Sequence, residues 1–271
     1  MRILILGITG MIGNILFKEF SKNKNFITLG TSRNKKIKNS FEYRLDINNI
    51  DSVEVVLKIL QPDIVINTIG IIKQLNVDKK EFIRVNTIFP YILSKLAEKY
   101  NFKIIQLSTD CVFSGLKGNY IEEDISDAMD IYGKTKYLGE LDSPHLTIRT
   151  SVIGHELNSN YELVDWFLSQ KEKVKGYSKA IFSGITTVEL YKVILKLIEK
   201  DLSGLYHVSS TPINKYTLLN LIAKVYDKKI IIDKDKNFIC DRSLNSDKLK
   251  SKINYIFPSW EEMIIELKNY V

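Results

Sequence analysis

The stretch RILILGITGMIGNILFKEFSK, residues 2–22, constrains the fold more than any other part of the chain. Its unbroken apolar run ends at Gly7 and reads as a strand buried on both faces. Helical periodicity begins at Met11. Gly7, Gly10 and Gly13 lie between the two at G-x-x-G-x-x-G spacing. In such a turn the first glycine permits the tight bend, the second lets a ligand approach the backbone, and the third lets the helix lie close on the strand. A strand buried on both faces needs helices above and below it. The opening therefore predicts a parallel sheet covered on both sides.

The alternation continues. FITLGTS, EYRL, DIVINTIG, KIIQLSTD and LTIRTSVIG read as further strands with helical stretches between them. Pro90, inside the helical pattern EFIRVNTIFPYILSKLAEKY, predicts a kink or a break. Beyond residue 150 the pattern is less regular. TTVELYKVILKLIEK, NKYTLLNLIAKVY and PSWEEMIIELKNY read as helices, and GLYHVSS and KIIIDK as short strands. The expected fold class is α/β, a Rossmann-type doubly wound parallel sheet with a smaller α+β C-terminal substrate lobe. The expected domains are 1–150 for dinucleotide binding, with residues 185–208 returning to it, and 151–271 for the lobe.

Composition narrows the partners. The formal charge of +7 comes from lysines spread along the chain, with no basic block interleaved with aromatics, so nucleic acid is not an expected partner. No run of about 18 apolar residues is present, so no membrane span is expected. The apolar start is too short for a signal peptide, and a cytoplasmic protein is expected. Cys111 and Cys240 are far apart and form no metal or redox motif, so free thiols and no metal are expected. A homodimer is left open.

A helix N-terminus behind a glycine turn is where a dinucleotide diphosphate rests. Gly7, Thr9, Gly10, Met11, Ile12 and Gly13 are its candidate cradle. An acid at the end of the second strand would hold a free ribose 2′-hydroxyl. The chain has LGTSRNKK there, so Ser32 and Arg33, helped by Lys35, are candidates for a 2′-phosphate, and NADP(H) is favoured over NAD(H). Asp46 and Ile47, after the third strand, are candidates to border the adenine.

YGKTKYLGE places Tyr132 and Lys136 four residues apart, on one face of a helix. About twenty residues earlier, KIIQLSTD ends at Ser108 and Thr109, and ligands bind at strand C-termini in such sheets. A strand-end hydroxyl, a helical Tyr-x-x-x-Lys and an N-terminal glycine turn together resemble the extended short-chain dehydrogenase/reductase family. STDCVFSGLKGNYIEEDISDAMDIYGKTKYLGE, LTIRTSVIG and DRSLNSDKL are similar to the dTDP-4-dehydrorhamnose reductase branch.

The resemblance implies a catalytic set of Thr109, Tyr132 and Lys136, with NADPH or NADH as hydride donor. The implied substrate is a 4-keto deoxysugar on a nucleotide. Tyr132 would be the general acid, Thr109 would polarise the carbonyl, and Lys136 would lower the phenol pKa and bind the nicotinamide ribose. It also implies Asn67, Thr68, Gly70 and Ser108 on the cofactor side. Ser151 and Val152 would lie by the nicotinamide or the substrate, and Cys111, Phe182 and Arg242 by the sugar nucleotide. Cys111 and Val152 are smaller than the aromatics the branch often has there, which leaves the sugar open. Two alternatives stand: an epimerase or dehydratase of the same family, and a non-catalytic NADP-binding regulatory subunit. A dehydratase would carry Asp-Glu after the threonine, where this chain has Asp110 and Cys111.

Overall fold

The computed structural model describes residues 1–33, 40–157 and 159–270. In chain order the first elements are β1 (Arg2–Leu6), α1 (Met11–Lys22), β2 (Ile27–Ser32), β3 (Glu42–Arg44), α2 (Ile50–Leu60), β4 (Ile64–Asn67), α3 (Lys79–Phe82), α4 (Phe89–Tyr100), β5 (Lys103–Thr109), α5 (Ile131–Leu138) and β6 (Leu146–Thr150). There follow β7 (Val152–Ile153), α6 (Leu163–Ser169), β8 (Lys173–Phe182), β9 (Ile185–Thr186), α7 (Thr187–Glu199), β10 (Gly204–His207), β11 (Ile213–Asn214), α8 (Lys215–Val225), β12 (Ile231–Asp241), α9 (Asp247–Ile253) and α10 (Trp260–Asn269). Among the described residues no helix is long and apolar enough to cross a membrane.

The chain packs as two compact units. The first holds residues 1–108, 130–148 and 202–205, and the second takes the remainder. This division differs from a single cut at residue 150. Residues 109–129 pack with the second unit, and the returning piece is 202–205 instead of 185–208. The second unit is therefore comparable in length to the first, not a smaller remainder.

The first unit is built on a seven-stranded sheet of order β10-β6-β5-β4-β1-β2-β3. The pairs β1–β2, β1–β4, β2–β3 and β4–β5 are parallel. Strand order reverses between β1 and β4, which opens a crevice at their carboxyl ends. Ile3 to Leu6 are at most 1% exposed, consistent with a strand covered on both faces. Burying each such side chain contributes about 1.5–3 kcal/mol. One core cluster joins Leu4, Leu6 and Val65 of the sheet to Val53 and Leu57 of α2 and Phe89 and Leu93 of α4. Asn49 caps α2 by accepting from Ser52 N at 3.0 Å.

The helix is not broken at Pro90: it runs on from residue 79 to residue 100 and takes up the proline through a π-helical turn. A π-helical turn, Ile83–Ile88, joins α3 to α4, and Pro90 stands in the first turn of α4. A proline cannot donate to the carbonyl four residues back, here that of Asn86. Gly139 packs against that carbonyl so closely that a Cβ would fall 1.8 Å from it.

The second unit depends on pairings distant in sequence. Its three-stranded sheet has order β11-β8-β12, with β8 and β12 parallel and an irregularity between Asp235 and Ile239. Tyr120 N donates to Ser243 O at 2.9 Å, Asn245 N donates to Tyr120 O at 2.7 Å, and Asn119 N donates to Ser243 Oγ at 2.8 Å. Val112, Phe113, Tyr120 and Leu244 form a small core, in which the Phe113 and Tyr120 rings stack at 4.0 Å. The helix α10 starts with a reciprocal capping box of Ser259 and Glu262. Cys111 and Cys240 are both free thiols.

Candidate active site

The first unit gathers its candidate residues at the carboxyl ends of β1, β2, β4 and β5. Gly7 has φ +90°, a conformation that favours glycine, and its N–H and that of Ile8 both donate to Thr31 O at 3.0 Å. A Cβ on Gly13 would fall 2.3 Å from Gly7 O and 2.6 Å from Thr68 Oγ1, so only glycine lets α1 approach β1 this closely. Gly10 is different. A Cβ there would meet Gly7 O at an ordinary 3.5 Å, so nothing within the fold requires glycine. The helix α1 opens at Gly10 without a side-chain cap and without an acid in its first turn. Its first N–H groups have no intrahelical acceptor. This cradle suits a diphosphate: an open glycine, bare helix donors and no negative charge beside them.

The neighbouring loops are held by their own side chains. Thr68 Oγ1 donates to Leu6 O at 2.6 Å. Asn67, expected on the cofactor side, has its side chain turned inward. It is 1% exposed, donates to Gln106 Oε1 at 2.8 Å and accepts from Ile69 N at 3.2 Å. The side chains of Asn67 and Thr68 thus set the path of the loop, and Gly70 is its exposed member.

At the end of β2, Ser32 is buried and Arg33 exposed. Ser32 is in register with Arg44 of β3, and Arg44 Nε donates to Arg33 O at 3.2 Å. Arg44 is thus a second cation at this edge, which the strand pattern of EYRL does not single out. Lys35 lies outside the described residues. Asp46 accepts from Asn48 N at 3.0 Å and is exposed, while Ile47 packs partly against the core.

The opening of α5 carries Tyr132. Asp130 caps this helix by accepting from Gly133 N at 2.7 Å. Lys136 follows one turn later and is only 8% exposed. Its Nζ donates to Leu107 O at 2.5 Å and lies 3.8 Å from where a Cβ on Gly70 would stand. Burial lowers the Lys136 pKa to about 8, and the nearby Glu140 charge opposes that fall. The Tyr-x-x-x-Lys spacing alone does not show this burial. Nor does it show Asn86, whose side chain accepts from Ile71 N at 2.8 Å and donates to Ile71 O at 3.0 Å and to Thr135 Oγ1 at 3.3 Å. Asn86 thereby ties the 70–71 loop to the helix bearing Tyr132. Ser108 is buried, and its hydroxyl donates to Glu140 Oε1 at 2.5 Å.

In the second unit Thr109 is buried at the end of β5. Its Oγ1 accepts from Cys111 N at 3.1 Å and donates to Asp110 Oδ1 at 3.2 Å. Asp110 is itself buried. Desolvation raises its pKa, while Arg242 and Lys215 pull it down. Arg242 donates from Nε to Phe113 O at 2.8 Å and from Nη1 to Cys111 Sγ at 3.5 Å, so it braces the 110–113 turn. Phe182, expected against the substrate, is instead a core residue. It is 3% exposed, with Lys215 Nζ 3.7 Å over its ring and the Trp260 ring at 5.2 Å. Ser151 and Val152 are half-buried: Ser151 O accepts from Ile185 N at 2.9 Å, and Val152 pairs with Ile185 across β7 and β9. Among the described residues no group of three or more His, Cys, Asp or Glu could hold a metal.

The family model for the RmlD substrate binding domain matches residues 1–265. A dTDP-4-dehydrorhamnose reductase of Aggregatibacter actinomycetemcomitans is 27% identical over 226 residues, 78% of this chain and 74% of that protein. The spore coat polysaccharide biosynthesis protein SpsK of Bacillus subtilis (strain 168) is 33% identical over 56% of this chain and 57% of that one. Among solved structures, a dTDP-4-dehydrorhamnose reductase from Bacillus anthracis str. Ames, in complex with NADP, superimposes with a TM-score of 0.85 at 22% identity. That match covers 100% of this chain and 99% of the other, and shows a shared fold.

Proposed function

We propose, from the premise that this chain belongs to the RmlD substrate binding domain family, that it is an NAD(P)H-dependent reductase of a nucleotide-activated 4-keto-6-deoxysugar. The observation that carries the reading is Lys136, an ammonium buried one helical turn beyond Tyr132 and anchored on Leu107 O. A buried cation is costly without a use or a partner. Beside a phenol it has a use, because it favours the phenolate. The reductase of Aggregatibacter actinomycetemcomitans, similar over most of both chains, supports the same reading.

The roles follow from the chemistry. Ketone reduction needs hydride at carbon and a proton at oxygen. Bound nicotinamide cofactor supplies the hydride. Tyr132 gives its proton to the carbonyl oxygen, and Lys136 makes that donation favourable by stabilising the phenolate left behind. The Thr109 hydroxyl would polarise the carbonyl by donating its proton to a substrate oxygen in place of Asp110.

The glycine turn, with the N–H groups of Met11 and Ile12, would hold the diphosphate. Gly70 and Lys136 would hold the nicotinamide riboside, with Asp46 and Ile47 by the adenine and Ser151 and Val152 by the nicotinamide. Ser32 and Arg33, where an acid would otherwise favour NAD, read the 2′-phosphate of NADP. Cys111, Val152 and Arg242 face the sugar nucleotide, and the second unit carries the substrate side.

The test is consumption of NADPH and of NADH by the wild type and by Arg33→Ala, over a panel of 4-keto sugar nucleotides. Substrate-dependent consumption with NADPH preferred is expected. Arg33→Ala should weaken NADPH more than NADH by about 1.5–3 kcal/mol, the range for a hydrogen bond to a charged group. Equal losses for the two cofactors would remove Arg33 from phosphate reading.

A further inference from the structure

Lys136 is buried, yet among the described residues its hydrogen-bond acceptor is a neutral carbonyl. Leu107 O takes a hydrogen bond from Nζ at 2.5 Å but brings no compensating charge. Gly70, in the loop after β4, lies beside the ammonium, and the Asn86 amide of the π-helical turn lies beside Gly70; both are neutral. On its own helix Tyr132 lies one turn back, with Lys134 two residues before it and Tyr137 one residue after it. The charge that acts on Lys136 is that of Glu140, four residues further along.

The path of the chain explains how Glu140 comes to be there. The helix α5 ends at Leu138, and Gly139 N donates to Lys136 O at 3.3 Å. Only glycine fits at 139, because Asn86 O occupies the space of a Cβ. The following residue, Glu140, then meets Ser108, whose hydroxyl donates to Oε1 at 2.5 Å. Leu107 and Ser108 are consecutive on β5. The backbone of one receives the ammonium, and the side chain of the other receives the carboxylate.

We propose that Glu140, held by the Ser108 hydroxyl, is the counter-charge that keeps the buried Lys136 protonated and aimed, making both Glu140 and Ser108 positioning residues. This gives Ser108 a task distinct from cofactor contact. The inference rests on Lys136 belonging to the reductase site, but its test does not. Burial alone would drive the ammonium toward its neutral form, and a fixed carboxylate opposes that. A neutral Lys136 would leave the Tyr132 phenol without its cation.

The experiment is a pH titration of lysine side chains in the cofactor-free protein, followed by NMR of lysine-labelled chain. The Lys136 signal is assigned by its absence in Lys136→Met. In wild type it should titrate near 8, below the exposed lysines. In Glu140→Gln the midpoint should fall by about one pH unit, the low end of what a nearby opposite charge provides. Glu140→Asp should recover part of that fall, and Ser108→Ala should lower the midpoint by less than Glu140→Gln. Thermal melting checks that each variant is folded, and Ser108→Ala carries the test alone if Glu140→Gln is not. A midpoint unmoved in the folded variants would overturn the proposal. Absence of reductase activity in the wild type across the sugar panel, with the midpoint moved as expected in the variants, would instead overturn the functional reading and leave the counter-charge standing.

Discussion

The two units differ in how they are made. In the first, β1, β3 and β4 are each followed by a helix, and the candidate residues sit at strand ends a few positions from the glycines and caps that place them. In the second, the turn 110–113 is braced by Arg242, and Tyr120 is paired through Ser243 and Asn245, more than a hundred residues away. The first region is local chemistry repeated. The second is assembled from pieces that acquire meaning only after folding. A scaffold of the first kind suits a ligand that does not vary, such as a dinucleotide. Under the proposed function, distant segments joined in one unit would let substrate-binding residues change while the β1–β5 strands keep theirs.

Two substitutions can break that comparison. Gly13→Ala should have the larger effect. The added methyl meets backbone at 2.3 Å, so α1 must move away from β1. The expected stability loss is about 1–3 kcal/mol, the usual cost of overpacking. NADPH affinity, measured by fluorescence titration, should fall at least about tenfold, equivalent to 1.4 kcal/mol. Ser243→Ala should do less, and do it elsewhere. It removes the acceptor of Asn119 N and the 2.6 Å hydrogen bond donated to Asp241 Oδ1. A net loss of about 1 kcal/mol in denaturant stability is expected, with NADPH affinity unchanged. Equal weakening of NADPH binding by both substitutions would show that the regions are not separable.

The same difference decides what was legible in the sequence. Ile3–Leu6 and the periodicity from Met11 to Lys22 announce β1 and α1, because each needs only its own residues to be recognised. The strand β8 carries no such signal. Its inward residues include Gly176, Ser178 and Ala180, too small to mark an apolar face, while lysines occupy the outward positions. The strand β12 was seen only at its start, since DKDKN in its middle is exposed and reads as loop. In the site, Tyr132 and Lys136 were visible through their spacing. The sequence around Phe182 does not reveal whether this ring faces a ligand or, as here, Trp260. Asn86 and Glu140 stood in view, four residues before Pro90 and four after Lys136. Their tasks depend on a π-helical turn and on a serine of another strand, neither of which periodicity encodes.

The central claim is that Tyr132 delivers the proton in a ketone reduction. The most direct measurement is single-turnover reduction of a 4-keto sugar nucleotide by wild type and Tyr132→Phe, each saturated with NADPH. Tyr132→Phe should bind NADPH with near wild-type affinity and reduce the ketone about 10²–10⁴-fold more slowly, the loss expected for a general acid. Reduction at the wild-type rate by Tyr132→Phe would contradict the account.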